Sequence, residues 1–179
     1  MKLFRRAPSP HQTALAMIGA KPGSTVIVVG AGEPALSAEV ALVTGLNGRT
    51  LVVVPELAGR TPVQTAAANA GALIDLEVGP ASSLPAANGA FDIAVLLDVG
   101  HAADPDRIVR ESARVVRPSG RVIVIEGRKA TGIRKLLGGA GSSGDADSGE
   151  IVARLATAGL RGARLLGSAD GVRYFEGMK

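Results

Sequence analysis

The sequence predicts an α/β fold: a doubly wound sheet of seven strands, mostly parallel and closed by a C-terminal antiparallel hairpin. Three observations predict it. The runs 25–29 (TVIVV), 51–54 (LVVV), 92–97 (DIAVLL) and 121–125 (RVIVI) are almost continuously apolar, as strands covered on both faces must be. Most of these runs are separated by stretches long enough to hold a helix. A glycine turn, Gly30-Ala31-Gly32, follows the first run directly, and Pro34 suits the first position of the helix after it.

The elements follow in order. A short helix over Thr13–Ile18 precedes the first strand, Thr25–Val29. The next helix sets Leu36, Val40, Val43 and Leu46 on one face and stops at Asn47-Gly48. Leu51–Val54 is the second strand, Pro62–Ala70 an alanine-rich helix, and Leu73–Val78 a third strand in which Asp75 and Glu77 alternate with apolar residues. After the fourth strand, Asp92–Leu97, Asp104 caps a helix that Pro105 opens, with Arg107 and Glu111 spaced to pair one turn apart. That helix ends before Arg117-Pro118-Ser119-Gly120, and Arg121–Ile125 is the fifth strand. Residues 138–149 contain only Gly, Ala, Ser and Asp and read as a flexible loop within one domain spanning 1–179. Glu150–Ala158 is a last helix, and Ala163–Leu166 and Val172–Phe175 form a hairpin around Gly167–Gly171.

Composition narrows the chemistry. The 179 residues are 46% hydrophobic and 20% charged, so the chain can bury a core. There is no cysteine and there are two histidines, His11 and His101, which excludes disulfides, thiol nucleophiles and Cys-type metal centres; no metal site is expected. With three Phe, one Tyr and no Trp, base-stacking platforms are missing, so a nucleic-acid partner is not expected despite a net charge of +4. The basicity sits at the two ends: residues 1–22 carry Lys2, Arg5, Arg6 and Lys21 without an acid, whereas residues 23–127 hold seven basic and eleven acidic side chains. Residues 1–12 read as a basic, flexible N-terminus. No apolar run approaches the ~18 residues that would cross a bilayer, although a basic rim would suit peripheral contact with an anionic membrane. The start MKLFRR loosely imitates a leader, but APSPHQ separates its charges from the apolar TALAMIGA; a cytoplasmic protein is expected.

In an open parallel sheet the ligand site lies at the carboxyl ends of the strands, beside the point where strand order reverses. Gly30-Ala31-Gly32-Glu33-Pro34-Ala35 is the candidate cradle, since glycines let the backbone turn and approach a ligand closely. As a bare pattern it also fits a dinucleotide loop, but a pyrophosphate wants N–H donors and no carboxylate such as Glu33 beside it.

Three longer stretches are more specific: VIVVGAGEPALSAEVA, LPAANGAFDIAVLLDVGH and DPDRIVRESARVVRPSGRVIVIEG. Together they resemble the class I S-adenosylmethionine-dependent methyltransferases with a Rossmann-like sheet, most of all the small-molecule branch around the ubiquinone/menaquinone enzymes. The resemblance covers residues 13–179 and is sharpest over Leu84–Gly127. It implies an antiparallel seventh strand inserted between the fifth and sixth. It also implies S-adenosylmethionine held by Gly30, Ala31, Gly32, Glu33 and Pro34, by Val54, Pro55 and Glu56 after strand two, by Pro80, Ala81 and Ser82 after strand three, and by Asp98. Asp98 and His101 would face a small-molecule acceptor, with His101 suited to deprotonate a hydroxyl. Glu126, at the end of strand five, is a further candidate for that cleft.

Four positions depart from the family's pattern. Val28 stands where an acid is usual, and Pro34 where a third glycine is usual. Val54 replaces the carboxylate that grips the ribose hydroxyls, and Pro80 the aspartate that meets the adenine amino group; Glu33, Glu56 and Ser82 are the candidates to compensate. Each lost charged contact removes roughly 1.5–3 kcal/mol, or ten- to a hundredfold in affinity. The sequence therefore supports two readings: a small-molecule methyltransferase, or a methyltransferase-fold protein that has lost the cofactor and acts as an interaction module. The basic stretch 128–137 (RKATGIRKLL) would lie over an acceptor in the first reading and suit an anionic or lipid-like one. The short N-terminus leaves room for a second copy of the chain to complete the pocket.

Overall fold

A computed structural model describes residues 9–127 and 143–179, with the side chains of His101 and residues 143–147 outside the description. The elements are α1 (Gln12–Ile18), β1 (Thr25–Val29), α2 (Pro34–Thr44), β2 (Arg49–Val54), α3 (Arg60–Ala70), β3 (Asp75–Val78), β4 (Phe91–Leu97), α4 (Pro105–Val115), β5 (Val116–Gly127), α5 (Ser143–Thr157), β6 (Arg161–Ala169) and β7 (Val172–Met178). Short 3₁₀ turns at Leu57–Gly59 and Val99–His101 follow β2 and β4. The seven strands form one sheet in the order β3-β2-β1-β4-β5-β7-β6, with β7 antiparallel to both of its neighbours. The reversal of strand order between β1 and β4 places the switch point at the Gly30 turn.

Alternation along each strand builds two cores. Ile27, Val29, Leu96, Val122 and Val124 pack against Ile108 and Val109 of α4 and Ile151 and Leu155 of α5. Val26, Val28, Val95, Ile123 and Ile125 face Ile18 of α1, Leu36 and Val40 of α2 and Val63 of α3. Strands with two apolar faces are what a helix layer on each side of a parallel sheet demands.

Several boundaries differ from expectation. Helix α2 stops at Gly45, leaving Leu46 87% exposed rather than on the buried face. The third strand begins at Asp75, and Leu73 before it is exposed. Strand β5 runs through Arg117-Pro118-Ser119-Gly120 instead of starting after it. The ladder absorbs that segment as an irregularity, its register passing from Phe91–Val116 to Ile93–Arg121. The hairpin tip is Asp170-Gly171 alone, both at positive φ, so β6 and β7 are longer than their apolar residues suggest. Helix α5 begins at Ser143, so residues 143–149 of the expected loop are helical; Ser and Asp are favoured where a helix begins. The expectations for residues 1–8 and 128–142, which include the basic stretch 128–137, lie outside the described residues.

Two ionic networks tie the sheet to its loops. Asp104 accepts from the Arg107 amide as the cap of α4, but Arg107 does not pair with Glu111; its Nε donates to the Ser82 carbonyl at 3.1 Å. Glu111 is held by Arg114 instead. An acid one turn after a base is the weaker orientation on a helix, and Arg107 has a backbone acceptor within reach.

Asp92 accepts from the amide and the hydroxyl of Thr25, at 2.7 and 3.0 Å, and pairs with Arg117. Burial pushes its carboxyl up, but the Thr25 and Arg117 hydrogen bonds outweigh that and hold it below the usual carboxylate range. A depressed folded pKa contributes stability that is complete above the unfolded value near ~4 and is lost as pH falls through the folded one. We expect Asp92→Asn to cost about 1–2 kcal/mol in a neutral-pH denaturant melt. The variant and the wild type should converge in melts once the pH has fallen through the folded pKa of Asp92; a gap that persists below it would mean the charge is not what stabilises.

Candidate active site

The carboxyl ends of β1, β4 and β5 meet around the glycine turn. Gly30 has φ +117, and a Cβ there would stand 3.1 Å from the Leu97 Cβ and 3.2 Å from the Leu97 carbonyl oxygen, so only glycine fits without displacing β4. Its amide donates to the Val53 carbonyl at 2.9 Å. Gly32 and Glu33 are exposed, and Pro34 opens α2 as expected.

Asp98 sits just past β4 in the left-handed region at φ 52, a conformation aspartate tolerates. Its amide donates to the Ile125 carbonyl, and its Oδ1 accepts from the Gly127 amide at 2.9 Å, binding the end of β4 to that of β5. The other carboxylate oxygen turns toward the glycine loop, 3.2 Å from where a Cβ on Gly32 would stand. His101 lies in the turn after Asp98, with its side chain outside the described residues. Glu126 does not line this cleft. It is 3% exposed on the α4/α5 side of the sheet, where its Oε1 accepts from the Gly100 amide at 2.8 Å.

A cavity of about 130 Å³ opens beside Asp98. Its polar lining comes from Glu33 and Asp98, and also from His11, Asp170 and Tyr174, which the sequence did not mark as site residues. His11 Nε2 lies 3.6 Å from a Glu33 oxygen and Nδ1 3.2 Å from Glu39, so one imidazole bridges two carboxylates of α2 and its cap. Tyr174 is 5% exposed; burial first, then the charges of Asp170 and Glu33, push its phenol above the usual range. A larger open groove of about 480 Å³, lined by Arg49, Arg60 and Asp75 among others, lies at the β2–β3 edge and shares no residue with this cavity.

The residues expected around a ribose and an adenine are arranged differently. Val54 is 0% exposed. A Cβ on Gly59 would stand 2.9 Å from the Ala31 Cβ and 3.2 Å from the Val54 Cβ, so the Leu57–Gly59 turn rests directly on both residues. Pro55 and Glu56 lie outside this contact and are exposed, and Glu56 makes no capping bond to the turn. Pro80 is exposed, Ala81 packs on the core, and the Ser82 carbonyl is taken by Arg107. Around Val54, then, the residues do not fit the diol contact that the resemblance implies. At the Asp98 end they fit a positive charge. Among the described residues no three His, Asp or Glu side chains are arranged so that they could hold a metal ion, and no helix is long and apolar enough to cross a membrane.

The family model of the methyltransferase domain matches residues 28–124, more than half of the chain. Among solved structures, the chain is similar to a SAM-dependent methyltransferase from Aquifex aeolicus, at 16% identity and a TM-score of 0.77, covering 94% of this chain and 89% of that one. It is similar to a chain of the complex between the Haloferax volcanii Trm112 methyltransferase activator and its candidate methyltransferase (16% identity, TM-score 0.67, 93% and 86% covered). The cyclase SpnF is also similar, at 23% identity and a TM-score of 0.59, over 87% of this chain and 56% of that one. At these identities the likeness is one of fold. No curated protein matches the sequence.

Proposed function

From the premise that the chain belongs to the methyltransferase domain family, we propose that it is a methyltransferase-fold binding protein that works through the Asp98 cavity without a ribose-clamped adenosyl cofactor. The observation that carries this reading is the burial of Val54 under Gly59 and beside Ala31. A carboxylate is missing there, and the space above it is filled by the chain's own turn. A cavity of about 130 Å³ is also well below the ~300 Å³ at which pockets for drug-sized ligands begin. Losing the diol and adenine contacts together removes several kcal/mol of binding, enough to carry a micromolar site out of working range.

Calorimetric titration with S-adenosylmethionine and with S-adenosylhomocysteine tests this. Neither should give saturable heat, nor a thermal shift, up to 1 mM. Saturation below that concentration overturns the reading.

A second reading, methyl transfer from S-adenosylmethionine to a small molecule, is favoured by the acidic lining of the cavity. Glu33, Asp98 and Asp170 would complement a sulfonium and an ammonium. In that case Asp98 and His101 take the roles the resemblance gives them, and catalysis rests on positioning and on excluding water. The same lining repels an anionic acceptor, so the acceptor class suggested by the basic stretch 128–137 does not suit this cavity. Cytoplasmic location and self-association belong to either reading.

A further inference from the structure

We propose that His11 is a pH-operated latch that closes the strap Ser9-Pro10-His11 over the Asp98 cavity. This rests on the reading above only in treating that cavity as the working site. Pro10 and His11 enter its lining from the strap, and Thr13 and Ala14 from α1 directly behind it. Glu39 of α2 fastens the strap. One of its oxygens accepts from the Ser9 hydroxyl and the other lies 3.2 Å from His11 Nδ1, while the His11 amide donates to Ser9 Oγ at 2.9 Å. The other ring nitrogen, Nε2, lies 3.6 Å from a Glu33 oxygen.

Both nitrogens of one imidazole therefore face carboxylate oxygens. A neutral imidazole carries one N–H and one bare lone pair, and a lone pair turned toward a carboxylate is repelled. Only the imidazolium, a donor at both nitrogens, satisfies this arrangement. The His11 side chain is 19% exposed and that of Glu39 23%, so water screens the pair incompletely; Glu33, at 55%, adds less. Charges on the neighbouring elements act in the same sense. Asp98 past β4 and Asp170 at the hairpin tip line the cavity with His11, and neither Lys nor Arg is among the described lining residues. Tyr174 of β7 brings a phenol held neutral by burial and by the charges of Asp170 and Glu33. Against them stands the N-terminus of α1, which His11 caps, with about half a positive charge at most.

Histidine is the side chain that changes charge between about pH 5 and pH 8. While His11 holds its second proton, the strap is pinned to α2 at both ring nitrogens. As pH rises and that proton leaves, one nitrogen loses its donor and the ring its attraction to the carboxylates. Losing one charge-assisted contact shifts an equilibrium about tenfold or more, here from closed toward open. The Ser9 hydroxyl alone then ties the strap to Glu39. The cavity is shielded under mildly acidic conditions and accessible under mildly alkaline ones.

The chain carries its own reporter. Tyr174 is its one tyrosine, there is no tryptophan, and at 5% exposure this ring lines the cavity. Quenching of tyrosine fluorescence by acrylamide, a neutral molecule, therefore reads access to the cavity in the whole protein. The bimolecular quenching constant should rise about threefold or more from about pH 5.5 to about pH 8. His11→Gln, which keeps a donor without the charge, should quench at the lower pH as the wild type does at the higher. Glu39→Gln should lie near the open value at both. A wild-type constant equal at the two pH values, or a pH response undiminished in His11→Gln, overturns the latch; the first comparison needs no variant to fold. Titration with S-adenosylmethionine separates the two claims. Its saturation would sink the cofactor-free reading and leave the latch standing, whereas a flat quenching profile sinks the latch alone.

Discussion

Val54→Asp should lower the melting temperature by roughly 10 °C or more and should confer no affinity for S-adenosylmethionine. Position 54 is where the resemblance expects a carboxylate, so the substitution restores the family's residue type. The side chain it replaces is nevertheless 0% exposed and pressed by Gly59 and Ala31, with apolar neighbours throughout its core cluster. An unpaired carboxylate in such a place costs about 3–5 kcal/mol or is forced to stay protonated. Its folded pKa would then lie above the unfolded one, so the destabilisation should grow as pH rises and be larger at pH 8 than at pH 4. Val54→Thr, equal in shape, should lose much less. If Val54→Asp melts within about 2 °C of the wild type, the Leu57–Gly59 turn opens easily and no longer argues against a ribose.

Arg114→Met is the second large effect, a loss of about 3 kcal/mol and a fall in melting temperature of roughly 6–12 °C. Arg114 is paired with Glu111, donates to the Ala86 carbonyl at 2.9 Å and to Asn88 Oδ1 at 2.7 Å, and reaches the Leu84 carbonyl at 3.2 Å. One guanidinium therefore holds the connection into β4 against α4. Removing it leaves carbonyls and a mostly buried carboxylate without their donor. Arg114→Lys should recover less than half of the loss, because a single ammonium cannot serve a fork of acceptors. A melt of Arg114→Met within 3 °C of wild type would refute the clamp.

The same residues explain how much was legible in advance. The Leu84–Gly127 stretch is the most family-like part of the sequence, and in the structure Arg114, Asp92 and Asp104 hold loops and caps there. Sequence pattern is dense where local geometry is demanding, so the strands, the Gly30 turn and the placement of Asp98 could be read directly. Glu126 could not: whether a residue at a strand end faces one side or the other turns on a single position in a period of two. His11, Asp170 and Tyr174 were invisible for another reason. They reach the cavity only when α1 and the β6–β7 hairpin close over the sheet, and nothing local in HQT, SADG or RYF records that contact. Exposed Pro80 and buried Val54 show the limit of spacing arguments as well, since both depart from the family's pattern while only Val54 is covered by the chain's own turn.

The insertion of β7 between β5 and β6 has a consequence for how the protein comes into being. Synthesis and much of folding run from the N-terminus, and contacts between distant segments carry the largest closure entropy. His11 emerges well before Tyr174, and the cavity needs both. A chain with β1 to β5 already assembled would carry the glycine turn and Asp98 but half a pocket, open to water on its β7 side. A ligand can stabilise only the state that binds it. Whatever occupies this cavity therefore rewards the finished sheet alone, and its uptake marks the moment at which the last strand has docked.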